Sequence, residues 1–292
     1  MYYKPIEVVS LKGITVSLLA SGDGTEVIHH HIQKGSQWYL NPEEGWTALE
    51  CFYILKGELS WSSPKGEKSL TAGMTFSAEP IKQPVAFKAV IDTEFMYVSS
   101  QPVFQYYSYA INDKKNLAVL VEEKDGYTAD HCYRIKDYSL MIAEEINLPQ
   151  EKMYILNLGS FLHDIGKVKV PDSILNKPGK LTEEEFEIIK RHTIYGYELL
   201  KESELPDLRK AAFIPLEHHE RFDGKGYPYG LKGDQISIEA AIVSVVDAFD
   251  AMTTDRIYRK ALTKREAFAE IIRNRGKMFH PLVVDAFIKL IK

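Results

Sequence analysis

Hydrophobic and polar positions change period about a third of the way along the chain. In residues 1–103, apolar and β-branched side chains come in short runs: Ile14-Thr15-Val16-Ser17-Leu18-Leu19, Glu26-Val27-Ile28-His29-His30-His31-Ile32 and Ala86-Phe87-Lys88-Ala89-Val90-Ile91. Runs of this length and composition predict strands. Turn residues separate them at Ser21-Gly22-Asp23-Gly24, Asn41-Pro42, Lys56-Gly57, Ser63-Pro64-Lys65-Gly66 and Ala72-Gly73. Many short strands so spaced predict a small barrel or sandwich. From residue 104 the period becomes helical. Leu140, Ile142, Ala143 and Ile146, then Met153, Ile155, Leu156, Leu158, Phe161 and Leu162, fall at helix spacing. Thr182 ahead of Glu183-Glu184-Glu185 reads as an N-cap with an acidic first turn. Ile236 to Met252, opened by Ser237, predicts a long, largely buried helix. The expected organisation is α+β with two domains: a β-barrel over 1–103, a connecting helix over 104–124 closed by Lys124-Asp125-Gly126, and a helical domain over 125–292.

Composition narrows this picture. With 292 residues, 45% hydrophobic and 26% charged, the chain can build two packed cores, and disorder is not expected. The net charge of -5 gives no reason to expect long nucleic acid or an anionic membrane as partner. A small anionic substrate stays open, because bound metal ions reverse the local field. Cys51 and Cys132, in different halves, read as reduced thiols. Met1 to Ser10 lacks a secretory pattern, and no apolar run is long enough for a bilayer, so a cytoplasmic location is expected.

The helical part carries the chemistry. Seven residues of metal-binding type follow in order: His131, His163, Asp164, His192, His218, His219 and Asp247. An Asp directly after a His lets the carboxylate bridge two ions while the imidazole caps one. His218 and His219, about 100° apart if helical, can approach one ion from two sides. A single helical histidine is ordinarily a surface or hydrogen-bonded core residue. Five of the nine histidines falling into this pattern points instead to a compact two-metal hydrolytic site. Two cations about 4 Å apart make hydroxide available at neutral pH for in-line attack on phosphorus. Lys167, beside the His-Asp pair, would add positive charge at non-bridging phosphate oxygens.

Four stretches are similar to the HD superfamily of metal-dependent phosphohydrolases, and specifically to its HD-GYP subfamily. They are His163-Asp164-Ile165-Gly166-Lys167, Arg191-His192-Thr193, His218-His219-Glu220 through Asp223-Gly224 to Gly226-Tyr227-Pro228, and Asp247-Ala248-Phe249-Asp250 through Arg256 to Tyr258-Arg259. The resemblance spans about residues 125–290 and implies an all-α helical bundle. It also implies hydrolysis of the bacterial second messenger cyclic di-GMP. By position it implies that His131, His163, Asp164 and Asp247 hold one ion and that Asp164, His192, His218 and His219 hold the second. The two divalent ions would be iron or manganese, with a bridging hydroxide as nucleophile and Asp164 and Lys167 as the catalytic residues. Lys167, Tyr227, Arg256 and Arg259 are the implied substrate-binding residues. Some HD-GYP proteins carry a glutamate four residues before the first histidine, supporting a third metal. Here that position is Tyr127, a phenol with pKa near 10, so two ions are expected.

The first part resembles the cupin family, on Glu50-Cys51-Phe52-Tyr53-Ile54-Leu55-Lys56-Gly57-Glu58-Leu59 and Leu70-Thr71-Ala72-Gly73-Met74. The family's metal-binding histidines ahead of the glutamate are replaced by Glu43, Glu44, Gly45 and Trp46, and none stands at Gln83 to Val85. No cupin metal centre is expected. His29 and His31 would share one strand face, opposite His30, with no further ligand in view. Trp38, Trp46, Tyr53 and Trp61 are candidates either to line a small-ligand pocket in the barrel or simply to fill its core.

The leading functional expectation is a cyclic di-GMP phosphodiesterase regulated by the barrel. A catalytically silent cyclic dinucleotide receptor and a hydrolase of a mixed GMP-AMP ring are the alternatives. A homodimer through barrel or connector is a further candidate arrangement.

Overall fold

The structure, a computed structural model, describes residues 4–41, 45–63, 66–78, 84–105, 116–121, 130–254 and 260–291. The chain divides into two compact units, Met1–Asp113 and Lys114–Lys292. Most of the expected connecting helix lies outside the described residues; within it, residues 116–121 are helical.

The first unit is built of strands. They are β1 (Glu7–Leu11), β2 (Ile14–Gly22), β3 (Thr25–Ile32), β4 (Gln37–Leu40) and β5 (Glu50–Lys56). β6 (Glu58–Ser63), β7 (Gly66–Thr71), β8 (Thr75–Ala78), β9 (Val85–Ala89) and β10 (Thr93–Ser99) follow. A six-stranded sheet runs β1-β2-β3-β10-β5-β8 and a four-stranded sheet runs β4-β9-β6-β7, all pairs antiparallel. The β2–β3 hairpin closes on Asp23-Gly24, with φ of 52° and 80°, the left-handed pair that matches strand twist. Aromatic rings from the two sheets meet between them: Trp38 lies 4.9 Å from Phe95, and Phe52 lies 5.0 Å from Phe87. This is the β-rich architecture that the cupin resemblance implies.

Alternation along the strands settles two candidate groups. On β3, His30 is fully buried and stacks on Phe95 at 4.6 Å, whereas His29 and His31 take the other face. His29 faces Glu94 there at 3.5 Å. The four aromatic candidates do not share one pocket. Trp38 is core, Trp46 and Trp61 pack against it half-buried, and Tyr53 is 45% exposed because Phe52 takes the inward position. Glu50 is buried and accepts hydrogen bonds from Trp46 Nε1 (3.1 Å) and the Tyr97 hydroxyl, so it is engaged by the core.

The second unit is helical: α1 (Asp130–Glu145), α2 (Gln150–Phe161), α3 (Asp172–Leu175), α4 (Glu183–Lys190) and α5 (His192–Lys201). Then come α6 (Pro206–Ala211), α7 (Phe213–Glu217), α8 (Ile238–Thr253), α9 (Lys264–Arg273) and α10 (Pro281–Ile291), with a 3-10 turn over Ile165–Lys169. α8 is the core helix, burying Ala240, Ile242, Val243, Val245, Val246 and Phe249. It starts two residues later than Ile236 because Ser237 caps it, its hydroxyl accepting from Ala240 N. α4 starts where Thr182 predicts, with a full capping box between Thr182 and Glu185. Among the described residues, no helix is long and apolar enough to cross a membrane.

Glycines set the closest approach. A Cβ on Gly166 would run into the His192 carbonyl and the Gly196 nitrogen, and one on Gly196 would press on Pro215. The 3-10 turn therefore lies directly against α5, and α5 against α7. That contact carries His192 and His218 toward Asp164.

Candidate metal centre

Five helical segments each bring one or two polar side chains to a common buried point. His131 comes from the first turn of α1, His163 and Asp164 from the end of α2, and His192 from the start of α5. His218 and His219 follow α7, and Asp247 projects from α8. His218 and His219 stand in the turn after α7 rather than within a helix. α7 ends at Glu217, whose carboxylate accepts from Ser237 N at 2.8 Å. The rings of the pair are adjacent, with centroids 4.0 Å apart.

Asp164 divides its two oxygens between two sets of imidazoles. Oδ1 lies 3.1 Å from His192 Nε2 and 3.6 Å from His218 Nε2. Oδ2 lies 3.3 Å from His163 Nε2 and 2.7 Å from Lys167 Nζ. Candidate ligand atoms of Asp164, His192, His218 and His219 all lie within 4.8 Å of one another, as do those of His131, His163 and Asp164. Asp247 Oδ1 joins the second set at 3.9 Å from His131 Nε2 and 4.0 Å from His163 Nε2.

The protonation pattern suits a cation. Nδ1 of His163, His192 and His218 faces the carbonyls of Ser160 (2.9 Å), Ile189 (2.7 Å) and Pro215 (2.8 Å). A carbonyl only accepts, so Nδ1 carries the proton and Nε2 carries a lone pair. Those lone pairs point toward Asp164. His192 Nε2, His218 Nε2 and Asp164 Oδ1 are buried without a hydrogen-bond partner. Acceptors crowded together repel unless a positive ion sits among them, so the donor set fits divalent metal. Burial lowers the His218 pKa, and burial together with the charges of His218 and His192 lowers that of His219 well below its ordinary value. Both therefore stay neutral at pH 7, as ligands must. Burial alone would raise the Asp164 carboxyl, but Lys167 and His163 hold it well below the usual range.

Supporting residues lie outside the seven. Asp250 accepts from His131 Nδ1 at 2.8 Å and takes both guanidinium contacts of Arg134, at 2.5 and 2.9 Å. Burial opposes its ionisation, but the bonds from Arg134 and His131 bring its pKa to about 2. Such a carboxylate fixes the tautomer and direction of a ligating imidazole. Glu220 is buried and accepts from Tyr229 N (2.7 Å) and Leu231 N (3.0 Å), folding the loop back on itself. A Cβ on Gly226 would strike the backbone of Glu220 and Arg221. The loop so shaped lays Tyr227 on His219, centroids 4.8 Å apart. Burial raises the Tyr227 pKa above its ordinary value, so the phenol keeps its proton. Asp250 had a readable signal, its spacing of three from Asp247 on one helix face. Glu220 had none beyond its motif.

The seven candidate ligands, Lys167 and Tyr227 are thus gathered in one place. Arg256, Arg259 and Tyr127 lie outside the described residues.

The HD domain family model matches residues 108–283 of the chain. The chain belongs to the HD domain family. Its HD domain is 44% identical over 173 residues to "Cyclic di-GMP phosphodiesterase response regulator RpfG" of Xanthomonas campestris pv. campestris (strain 8004), covering 59% of this chain and 46% of that protein. It is 47% identical over 176 residues to "Cyclic di-GMP phosphodiesterase" of Thermotoga maritima, covering 60% of this chain and 48% of that one. It is 37% identical over 174 residues to "3'3'-cGAMP-specific phosphodiesterase 2" of Vibrio cholerae, covering 60% and 33%. The chain spans about half the length, or less, of these relatives.

Proposed function

We propose that the HD domain hydrolyses a phosphodiester bond of cyclic di-GMP, with two divalent ions, iron or manganese, held by the seven ligands. The observation that carries this reading is the division of Asp164, one oxygen toward His192 and His218 and the other toward His163. One carboxylate between two imidazole sets is what a bridged pair of ions requires. The phosphodiesterase activity in the names of the relatives gives further support. When bound, the ions supply Lewis-acid charge and an activated water.

The chain's own residues do the rest. Nδ1 protons given to backbone carbonyls keep three Nε2 lone pairs aimed inward. Lys167 lies 2.7 Å from Asp164 Oδ2, close enough to turn its ammonium onto a non-bridging phosphate oxygen as charge grows there. The protonated phenol of Tyr227, seated on His219, is a hydrogen-bond donor at the same wall. Arg256 and Arg259 are proposed to grip phosphate bidentately. The reading places the reaction in the cytoplasm and assigns the N-terminal unit to regulation through a small ligand or a homodimer contact.

A mixed GMP-AMP ring is the second reading, favoured by the similarity to the 3'3'-cGAMP-specific relative. The test is turnover of both rings by full-length protein reconstituted anaerobically with ferrous iron or with manganese, followed by product separation. Release of linear dinucleotide or GMP from cyclic di-GMP is expected. Tight binding of both rings with no cleavage under either metal overturns the enzyme reading in favour of a receptor.

A further inference from the structure

Phe186 is a large aromatic residue left 45% exposed on α4, a helix in which no residue is buried. Its surroundings distinguish it from a stray surface hydrophobe. Its ring meets Tyr227 edge to face at 6.5 Å. Lys190, one turn on and on the same helix face, sets its ammonium 4.9 Å from the Phe186 centroid and 5.7 Å from that of Tyr227. Glu187 pairs with the same ammonium at 2.5 Å. His219, Tyr227, Lys190 and Phe186 thus form one continuous row from the metal ligands to solvent. α4 is held at its start by the Lys177–Glu185 ion pair (2.6 Å). At its end it passes through Arg191 directly into α5, whose first residue is His192. Phe186 is therefore fixed at a short chain distance from a ligand.

We propose that Phe186 is a purine-stacking platform for one base of the substrate, with Lys190 as the residue that positions it. This rests on the reading of the HD domain as a cyclic dinucleotide hydrolase. A phosphodiester ring centred on the ions must send its bases outward, and an aromatic face beside the exit is sequence-tolerant recognition for a base. The cation near the Phe186 ring withdraws electron density from it. An electron-poor ring stacks best on an electron-rich one, and guanine is the most electron-rich base. The ammonium, shared between the rings of Phe186 and Tyr227, holds the platform in line with the loop.

The experiment compares wild type, Phe186→Ala, Phe186→Leu and Phe186→Trp in the full-length, metal-loaded protein. KM and kcat are measured for cyclic di-GMP, and Kd for GMP by calorimetry. Phe186→Ala and Phe186→Leu are expected to raise KM and the GMP Kd about tenfold, the scale of base–aromatic stacking. kcat should stay within about twofold, and Phe186→Trp should restore KM. An unchanged KM in Phe186→Ala, a Leu variant equal to wild type, or a loss in kcat alone overturns the platform. Wild type that cleaves no cyclic dinucleotide, yet binds GMP in a Phe186-dependent way, overturns the functional reading and leaves the platform standing.

Discussion

Asp164 and the imidazoles around it were readable as residue types, since imidazole and carboxylate are the side chains that bind divalent metal. What fixes their direction was less readable. Asp250 reaches His131 across 119 positions of sequence, and only the packing of α1 against α8 brings them together. Replacing Asp250 by alanine leaves His131 Nδ1 without its acceptor and frees Arg134. We expect metal affinity to fall about 10- to 100-fold, read by competitive metal titration. His30 offers a separate residue-scale prediction. Burial lowers its pKa to about 3 from an unfolded value near 6.5. The folded unit excludes a proton that the unfolded chain binds, so this contribution is intact above about pH 6.5 and is lost as pH falls toward about 3. The loss is on the order of 5 kcal/mol. All three tryptophans, Trp38, Trp46 and Trp61, lie in the first unit, so intrinsic tryptophan fluorescence reports its unfolding. Acid titration should show that unit failing in this window, and His30→Phe should move the midpoint to lower pH.

Among the elements, those with strong local signals were legible. The capping box at Thr182, the serine cap of α8 and the Asp23-Gly24 hairpin each carry their own stop or start chemistry. α6 has a start signal of its own, Pro206 at its first position with Asp207 behind it, whereas the 3-10 turn and α7 have none and are set by neighbours. The turn that holds His218 and His219 follows α7 at Glu217, whose carboxylate is held by Ser237 N, a contact no local pattern announces. Thr182→Ala should lower stability by about 1 kcal/mol in denaturant titration with metal binding preserved. Gly166→Ala is expected to be far more damaging. Its new methyl collides with the His192 carbonyl, so α5 must retreat and take a ligand with it. Both a lower Tm and a lower metal content should be measured, and a normal metal content would show that the contact is not what seats His192.

At the scale of the molecule, the chain joins a β-rich unit, whose cupin-like glutamate is used up by Trp46 and Tyr97, to an HD domain that gathers two candidate ligand groups around Asp164. Glu26 ties the segment after β10 to β3: its Oε2 accepts from Val103 N (2.7 Å) and Phe104 N (2.8 Å). If the first unit regulates the second, Glu26→Ala should change kcat for cyclic di-GMP more than about twofold, because a carboxylate hydrogen-bonded to two amides fixes the segment that leads out of β10. Unchanged kinetics would leave the unit without a regulatory role. The activity proposed for the HD domain depends on a bridged pair of ions. Elemental analysis of anaerobically purified full-length protein, expressed as ions per chain, tests it most directly. Two iron or manganese ions per chain are predicted, falling together in Asp164→Ala because one carboxylate serves both. A third ion would contradict the role given to Tyr127, and one ion or none, or a loss of only one in the variant, would contradict the bridged pair.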